Sequence, residues 1–190
     1  MVTPNAIHPA SIPGDGARPR VVAIIPARGG SKGIPRKNLQ NVGGVPLVVR
    51  TVRAALAVPI VDRVVVSSDD AEILTVAAAV GAESHRRSGD TASDTASSEA
   101  ALIEAIRDLQ LDGANHVLAF LQCTSPFIAA EDIEAVLGPV LSEEADTSFS
   151  AVPFHGYLWD ASEDGEARPV GHLGQQRSRR QDETPRLLET

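Results

Sequence analysis

Five consecutive apolar residues, Val21 to Ile25, run directly into Pro26-Ala27-Arg28-Gly29-Gly30-Ser31-Lys32-Gly33, and few folds accommodate that junction. A mostly β-branched run without polar alternation suits a strand buried on both faces, as in a parallel sheet. Pro26 and the three glycines then end regular structure, and glycine lets backbone N–H groups come close to a ligand. Successive N–H groups in such a turn make an anion-binding nest. Arg28, Lys32, Arg36 and Lys37 bring four cations into a ten-residue span of a chain whose net charge is −8. A polyphosphate is the ligand that this chemistry fits. The spacing is neither G-x-x-x-x-G-K-[ST] nor G-x-G-x-x-G, and the competing reading is a plain basic surface loop.

Downstream, strand-like and helix-like stretches alternate. Val45-Pro46-Leu47 opens a helical stretch to about Val58, with Pro46 suited to its first turn. Val61 to Ser67 reads as a second strand. Asp69 and Glu72 have capping-box spacing for a helix running to about Val80, which Gly81 would close. A short strand over Ala82–His85 and a polar loop from Arg86 to Asp94 follow. Ser97 or Ser98 caps a helix whose apolar positions, Ala101, Leu102, Ala105, Ile106 and Leu109, recur at helical spacing. His116 to Gln122 is a third long strand, Glu131 to Leu141 an amphipathic helix, and Thr147 to Pro153 a further strand. That alternation predicts an α/β fold: a Rossmann-like, mostly parallel sheet with helices on both faces, binding ligands beyond the carboxyl ends of its strands. The loop at 26–38, Ser67–Asp70 and Gln122–Ser125 all lie at such ends.

Composition excludes several classes. A chain of 190 residues, 43% hydrophobic, suffices for one α/β domain with a proper core. Its acidity argues against a nucleic-acid binder, because no basic face stands out beyond the loop and Arg177–Arg180. Cys123 alone cannot build a disulfide framework, which suits a reducing cytoplasm. No apolar run reaches the roughly 18 residues of a membrane span. Residues 1–19, rich in Pro, Gly and Ala, read as a disordered leader, 20–190 as the working domain, and the polar stretch 157–176 as a flap or extension. His8, His85, His116, His155 and His172 have no metal-ligand spacing.

The run from Ile25 to Asn38 resembles the first signature of the acylneuraminate cytidylyltransferases, I-P-A-R-x-G-S-K-x-[IL]-x-x-K-N, at every fixed position. Arg87-Ser88-Gly89-Asp90-Thr91-Ala92-Ser93-Asp94 is similar to the family's R-P-x-x-L-A-x-D, with Ser88 and Thr91 departing. Leu121-Gln122-Cys123-Thr124-Ser125-Pro126-Phe127 is similar to L-Q-P-T-S-P-L-R, with Cys123 in place of a proline and Ile128 where an arginine is common. Arg179 to Pro185 resembles R-R-Q-[DE]-x-P.

The resemblance implies a CTP-dependent nucleotidyltransferase, in which a sugar hydroxyl attacks the α-phosphorus and diphosphate leaves. Such chemistry asks a protein mainly for positioning and charge neutralisation. By resemblance, Arg28 and Lys37 act at the reacting phosphates. Arg28, Ser31, Lys32, Asn38, Arg87 and Ser98 hold the nucleotide, and Gln122, Arg180 and Gln181 hold an acylneuraminate-type acid. Arg36 falls at a variable position and reads as a solvated charge, Asp69 as a helix cap, and Trp159 as a packing residue. Cys123 lacks an adjacent activating histidine and reads as a buried thiol, not a nucleophile. Mg²⁺ and a homodimer are further expectations of the family. Its usual Asp-x-Asp metal ligands would lie beyond Thr190, so the sequence reads as C-terminally truncated. Acceptors such as 3-deoxy-octulosonate or a phosphonate, and a non-catalytic CTP-binding fragment, remain alternatives at this level.

Overall fold

The computed structural model describes residues 18–31, 33–88, 98–111, 113–154, 156, 158–161, 165–170 and 186–189. The chain divides into two compact units, the first ending at Ser148 and the second starting at Phe149.

In the first unit, four parallel strands form one sheet: β1 (Arg20–Pro26), β4 (Val61–Ser68), β5 (Glu83–Arg86) and β6 (His116–Phe120), in the spatial order β5-β4-β1-β6. The expected all-apolar strand is the central one. Val21 to Ile25 are each fully buried, and their alternating side chains feed two separate cores. Val21, Ala23 and Ile25 pack with α1 (Leu47–Leu56), α2 (Ala71–Ala78) and α4 (Ala130–Leu141). Val22 and Ile24 pack with Val65, Ala105 and Leu111 on the opposite face, under α3 (Ser98–Asp108). Helices thus cover both faces, as the alternating pattern predicts. Full burial of each such aliphatic side chain contributes about 1.5–3 kcal/mol, which makes β1 the best-anchored element.

Several boundaries differ from the sequence reading for local reasons. Val45 and Pro46 form β3, the return strand of a small hairpin with β2 (Asn41–Val42), so Pro46 lies just before α1 and not inside it. Gly43 and Gly44, at φ +62° and +79°, supply the left-handed turn between them. α2 ends at Ala78, and Gly81 at φ +103° turns the chain into β5. Arg18, within the expected leader, is bound by Asp62 through two hydrogen bonds of 2.8 and 2.9 Å, and Asp62 also accepts Val21 N–H at 2.7 Å.

The second unit contains two antiparallel pairs, β7 (Ala151–Phe154) with β10 (Arg186–Glu189), and β8 (Leu158–Ala161) with β9 (Ala167–Val170). The strand expected over Thr147–Pro153 is therefore β7, paired antiparallel and outside the parallel sheet. The β8–β9 hairpin falls in the stretch expected as an extension. Trp159, expected as a packing residue, is 45% exposed on β8. Among the described residues no helix is long and apolar enough to cross a membrane.

Candidate active site

Strand order reverses beside β1: the chain moves from β1 outward to β4 and β5, then returns to place β6 on the other side. Loops leaving neighbouring strands at such a switch point part, and the crevice between them is where open α/β sheets bind ligands. Both loops start from pinned backbone. Ala27 N–H donates to the Ser67 carbonyl at 2.9 Å, and Leu121 N–H donates to the Ile24 carbonyl at 3.0 Å. The glycine-rich loop and the Gln122 loop therefore leave the sheet side by side.

Internal bonds set the shape of the first loop. Gly29 N–H donates to Asp69 Oδ1 at 2.9 Å. Asn38, buried in the middle of a short 3₁₀ turn (Lys37–Leu39), donates its side-chain amide to the Arg28 carbonyl at 2.9 Å. Arg36 sits in the left-handed region at φ 50° and binds Glu72 at 2.8 Å and Asp70 at 3.3 Å. The reading of Arg36 as a solvated charge is thus corrected: its side chain is half-exposed but ties the loop to the start of α2. The cap of α2 is corrected as well. Asp70, not Asp69, caps it, accepting N–H bonds from Glu72 at 2.8 Å and Ile73 at 3.4 Å. Burial opposes ionisation of Asp70, but those two N–H donors and Arg36 outweigh it and hold the carboxyl below its usual range. Capping by Asp70 leaves Asp69 free to reach across to the loop.

Charges gather where β1, β4 and β5 end. Arg87 is buried, and its N–H continues the β4–β5 ladder onto the Ser68 carbonyl at 3.0 Å. Burial pulls its guanidinium below the ordinary value. The carboxylates of Asp69 and Glu104 oppose that shift, and the charge of Arg28 adds to it. Arg87 thus feels the charges of three separate segments, Arg28 on the first loop, Asp69 after β4 and Glu104 on α3. Two guanidiniums beside a loop of backbone N–H groups suit phosphate oxygens, which they can bind bidentately.

At the β6 end, Gln122 and Thr124 are exposed and Cys123 is buried. Burial pushes the Cys123 thiol up to about 11, while a hydrogen bond with Thr51 and the charge of Lys37 pull the other way. That thiol is neutral at physiological pH, in line with the reading that it is no nucleophile. Ile128, standing where the family often has an arginine, packs against the main core.

Arg28, Ser31, Lys37 and Asn38 lie on the first loop, Arg87 follows β5 and Gln122 follows β6, all at the carboxyl end of the parallel sheet. Ser98 is the first residue inside α3 and not its N-cap, and Ser97, the other expected cap, lies outside the described residues. Lys32, Arg180 and Gln181, together with the polar stretch 89–97 and most of the leader, lie outside the described residues. Sequence reasoning missed the anchoring role of Asp69 and the partnership of Thr51 with Cys123. It also missed a relay in which buried Ser67 Oγ and His85 and half-exposed Asp108 connect at 3.0 and 2.9 Å. Nothing in the linear spacing announces these, except that two adjacent aspartates, Asp69 and Asp70, stand where one cap is needed. Ser67 is fully buried, so the Ser–His–Asp order ties β4, β5 and α3 together and presents no nucleophile.

Among the described residues no group of three or more His, Cys, Asp or Glu side chains could hold a metal ion. The carboxylates nearest the crevice, Asp69 and Asp70, are engaged by the loop, the helix cap and Arg36. The described residues do not fit a divalent-cation site.

Residues 22–158 match the family described as cytidylyltransferase. The chain is 40% identical over 184 residues to N-acylneuraminate cytidylyltransferase B of Danio rerio, covering 95% of this chain and 42% of that protein. It is 38% identical over 136 residues to pseudaminic acid cytidylyltransferase of Campylobacter jejuni, covering 70% and 58%. It therefore spans less than half the length of the zebrafish relative. Among solved structures, CMP:2-keto-3-deoxy-manno-octonic acid synthetase complexed with CTP superposes with a TM-score of 0.64 at 21% identity, over 90% of this chain and 71% of that one. That likeness shows the fold, α/β with a mostly parallel sheet.

Proposed function

The chain belongs to the cytidylyltransferase family, and on that premise we propose that it binds CTP in the switch-point crevice and activates an acylneuraminate-type, nonulosonic acid as its CMP derivative. The observation that carries this reading is the loop from Arg28 to Asn38, which carries Arg28 and Lys37, is tied through Gly29 N–H to Asp69 at the end of β4 and internally by Asn38, and whose Arg28 acts electrostatically on buried Arg87.

In the reaction, the anomeric hydroxyl of the acid attacks the α-phosphorus, the bond to the bridging oxygen breaks, and diphosphate leaves. Negative charge grows on the leaving group, and preorganised cations offset it without reorganising at the moment of reaction. Arg28 and Lys37 supply that charge. Ser31, Lys32 and the loop N–H groups hold the triphosphate, Asn38 braces the loop from beneath, and Arg87 and Ser98 hold the nucleotide. Gln122, with Arg180 and Gln181, addresses the sugar acid, whose carboxylate calls for a guanidinium.

Mg²⁺ is proposed only as an ion carried on the CTP phosphates. A homodimer and a cytoplasmic setting are further parts of the proposal, resting on the family likeness and, for the second, on a single buried thiol. The acceptor is proposed as a nonulosonic acid because the similar proteins include cytidylyltransferases named for N-acylneuraminate and for pseudaminic acid. The lack of a carboxylate cluster among the described residues favours one second reading, a CTP-binding polypeptide that does not turn over alone.

Diphosphate release from CTP, Mg²⁺ and N-acetylneuraminate, with Arg28→Ala as control, separates the two. Release that disappears in the variant supports the enzyme. CTP binding without release supports the second reading, and absence of both refutes the family-based function.

A further inference from the structure

Arg50 is the one charged residue in the first turn of α1, half-buried, and nothing in the nucleotide chemistry uses it. Its guanidinium reaches three partners. Nε donates to the Pro126 carbonyl at 2.8 Å, Nη1 donates to the Val42 carbonyl at 3.2 Å, and the group lies over the Phe127 ring, 5.7 Å from its centroid. Phe127 is otherwise 78% exposed. The hairpin turn is open enough for this approach: a Cβ built on Gly43 would stand 3.8 Å from Arg50 Nη1.

The loop it holds is the one that starts at Gln122. Its own backbone holds it weakly. Ser125 N–H to the Gln122 carbonyl and Ile128 N–H to the Ser125 carbonyl are both 3.3 Å, and Thr124 Oγ1 to Gln122 Oε1 is 3.4 Å, all beyond the usual 2.9–3.0 Å mode. Cys123 and Ile128 anchor the two ends of the loop in the core. Between them, the bond from Arg50 is the shortest. It is also charge-assisted, hence about twice as strong as a neutral one.

We propose that Arg50 is a positioning residue for the acceptor: it braces loop 122–128 against the β2–β3 hairpin and so fixes where Gln122 meets the sugar. This rests on the reading that Gln122 addresses the acid sugar. A pre-fixed loop binds without ordering cost, whereas a loose one is ordered at the expense of affinity. Lysine cannot replace the arginine, because a single ammonium on a flexible stem does not serve two carbonyls and a ring face together. The nucleotide loop, held by Asp69 and Asn38, does not depend on the brace.

Isothermal titration of the full chain with CTP and with CMP-N-acetylneuraminate tests the proposal, using wild type, Arg50→Ala, Arg50→Lys and Gln122→Ala. Arg50→Ala is expected to weaken the CMP-sugar by roughly tenfold, the scale of one hydrogen bond from a charged group, with CTP affinity unchanged. Arg50→Lys is expected to weaken it nearly as much and keeps the test open if the alanine variant does not fold. Equal loss for both ligands, or full CMP-sugar affinity in both Arg50 variants while Gln122→Ala loses it, would overturn the brace alone. Wild type that fails to bind the CMP-sugar, or a Gln122→Ala variant that binds it fully, would overturn the functional reading and the brace with it.

Discussion

Gly29→Ala is the sharpest test of how the loop is built. A Cβ placed on Gly29 would lie 2.9 Å from both Cβ and Oδ2 of Asp70 and 3.3 Å from its Cγ. The carboxylate can swing away, but the Asp70 Cβ moves only with the backbone of the α2 cap. Overpacking of this kind costs about 1–3 kcal/mol. Alanine recovers about 0.4–1 kcal/mol by restricting the unfolded chain, which leaves a net loss of about 1–2 kcal/mol. The loop is the part that can yield, and when it moves, the 2.9 Å bond from Gly29 N–H to Asp69 is the first casualty. Urea unfolding should therefore show the loss in midpoint, and calorimetry should show CTP binding weakened by about tenfold, one charge-assisted hydrogen bond. Gly30→Ala is the control, since nothing lies within 4 Å of a Cβ there; its effect should stay within about 0.5 kcal/mol. Asp70→Gly removes the obstructing Cβ, and glycine is a tolerable cap, a few tenths of a kcal/mol below aspartate. Gly29→Ala combined with Asp70→Gly should then recover most of the loss, a coupling of about 1 kcal/mol or more. Additive single effects, or a Gly29→Ala protein as stable and as tight for CTP as wild type, would refute the close approach.

Three further outcomes follow from other contacts. Asp70→Ala should cost about 1 kcal/mol through the lost cap, read by urea unfolding. Because the native carboxyl is held below its ordinary value of 3.8, its contribution is present above that pH and lost as pH falls through the lower native value. Wild type should thus lose more stability on acidification than the variant does. For Cys123, whose native thiol is raised from 9.0 to about 11, stability is fully present below pH 9 and declines as pH rises toward 11, by about 2–3 kcal/mol in all. Cys123→Ala should flatten that alkaline limb, and iodoacetamide should label wild type at pH 8 only as fast as the protein unfolds. His85→Ala strands the fully buried Ser67 hydroxyl and should cost about 1–3 kcal/mol. Asp108→Ala, removing a half-exposed partner, should cost distinctly less; equal losses would show that the relay does not run through Ser67.

Local physics wrote much of this protein into its sequence. The unbroken apolar run at Val21–Ile25 could only be a strand covered on both faces, and it became the centre of the sheet. The alternation of strand and helix periods then dictated a parallel order with ligand loops at one end. The glycines and cations of residues 28–38 marked the loop, because a nest of N–H groups needs residues without a Cβ and an anion needs charge. What the sequence left open were choices between chemically equal neighbours and contacts between distant segments. Asp69 and Asp70 are the same residue type one position apart. Only the path of β4 decides that one caps α2 while the other reaches 40 positions back to Gly29. Arg36 reads as a solvated charge along the chain and no spacing marks Arg50, yet packing brings Glu72 to the first and two carbonyls and a ring to the second. Ser67, His85 and Asp108 have no spacing that links them, because they meet across β4, β5 and α3. The sequence by itself determined the main strands and helices and marked the glycine-rich basic loop between them, since those preferences act within a few residues. Only the tertiary structure decided which side chains hold that loop and its neighbour in place, because those bonds depend on where separate strands end in space.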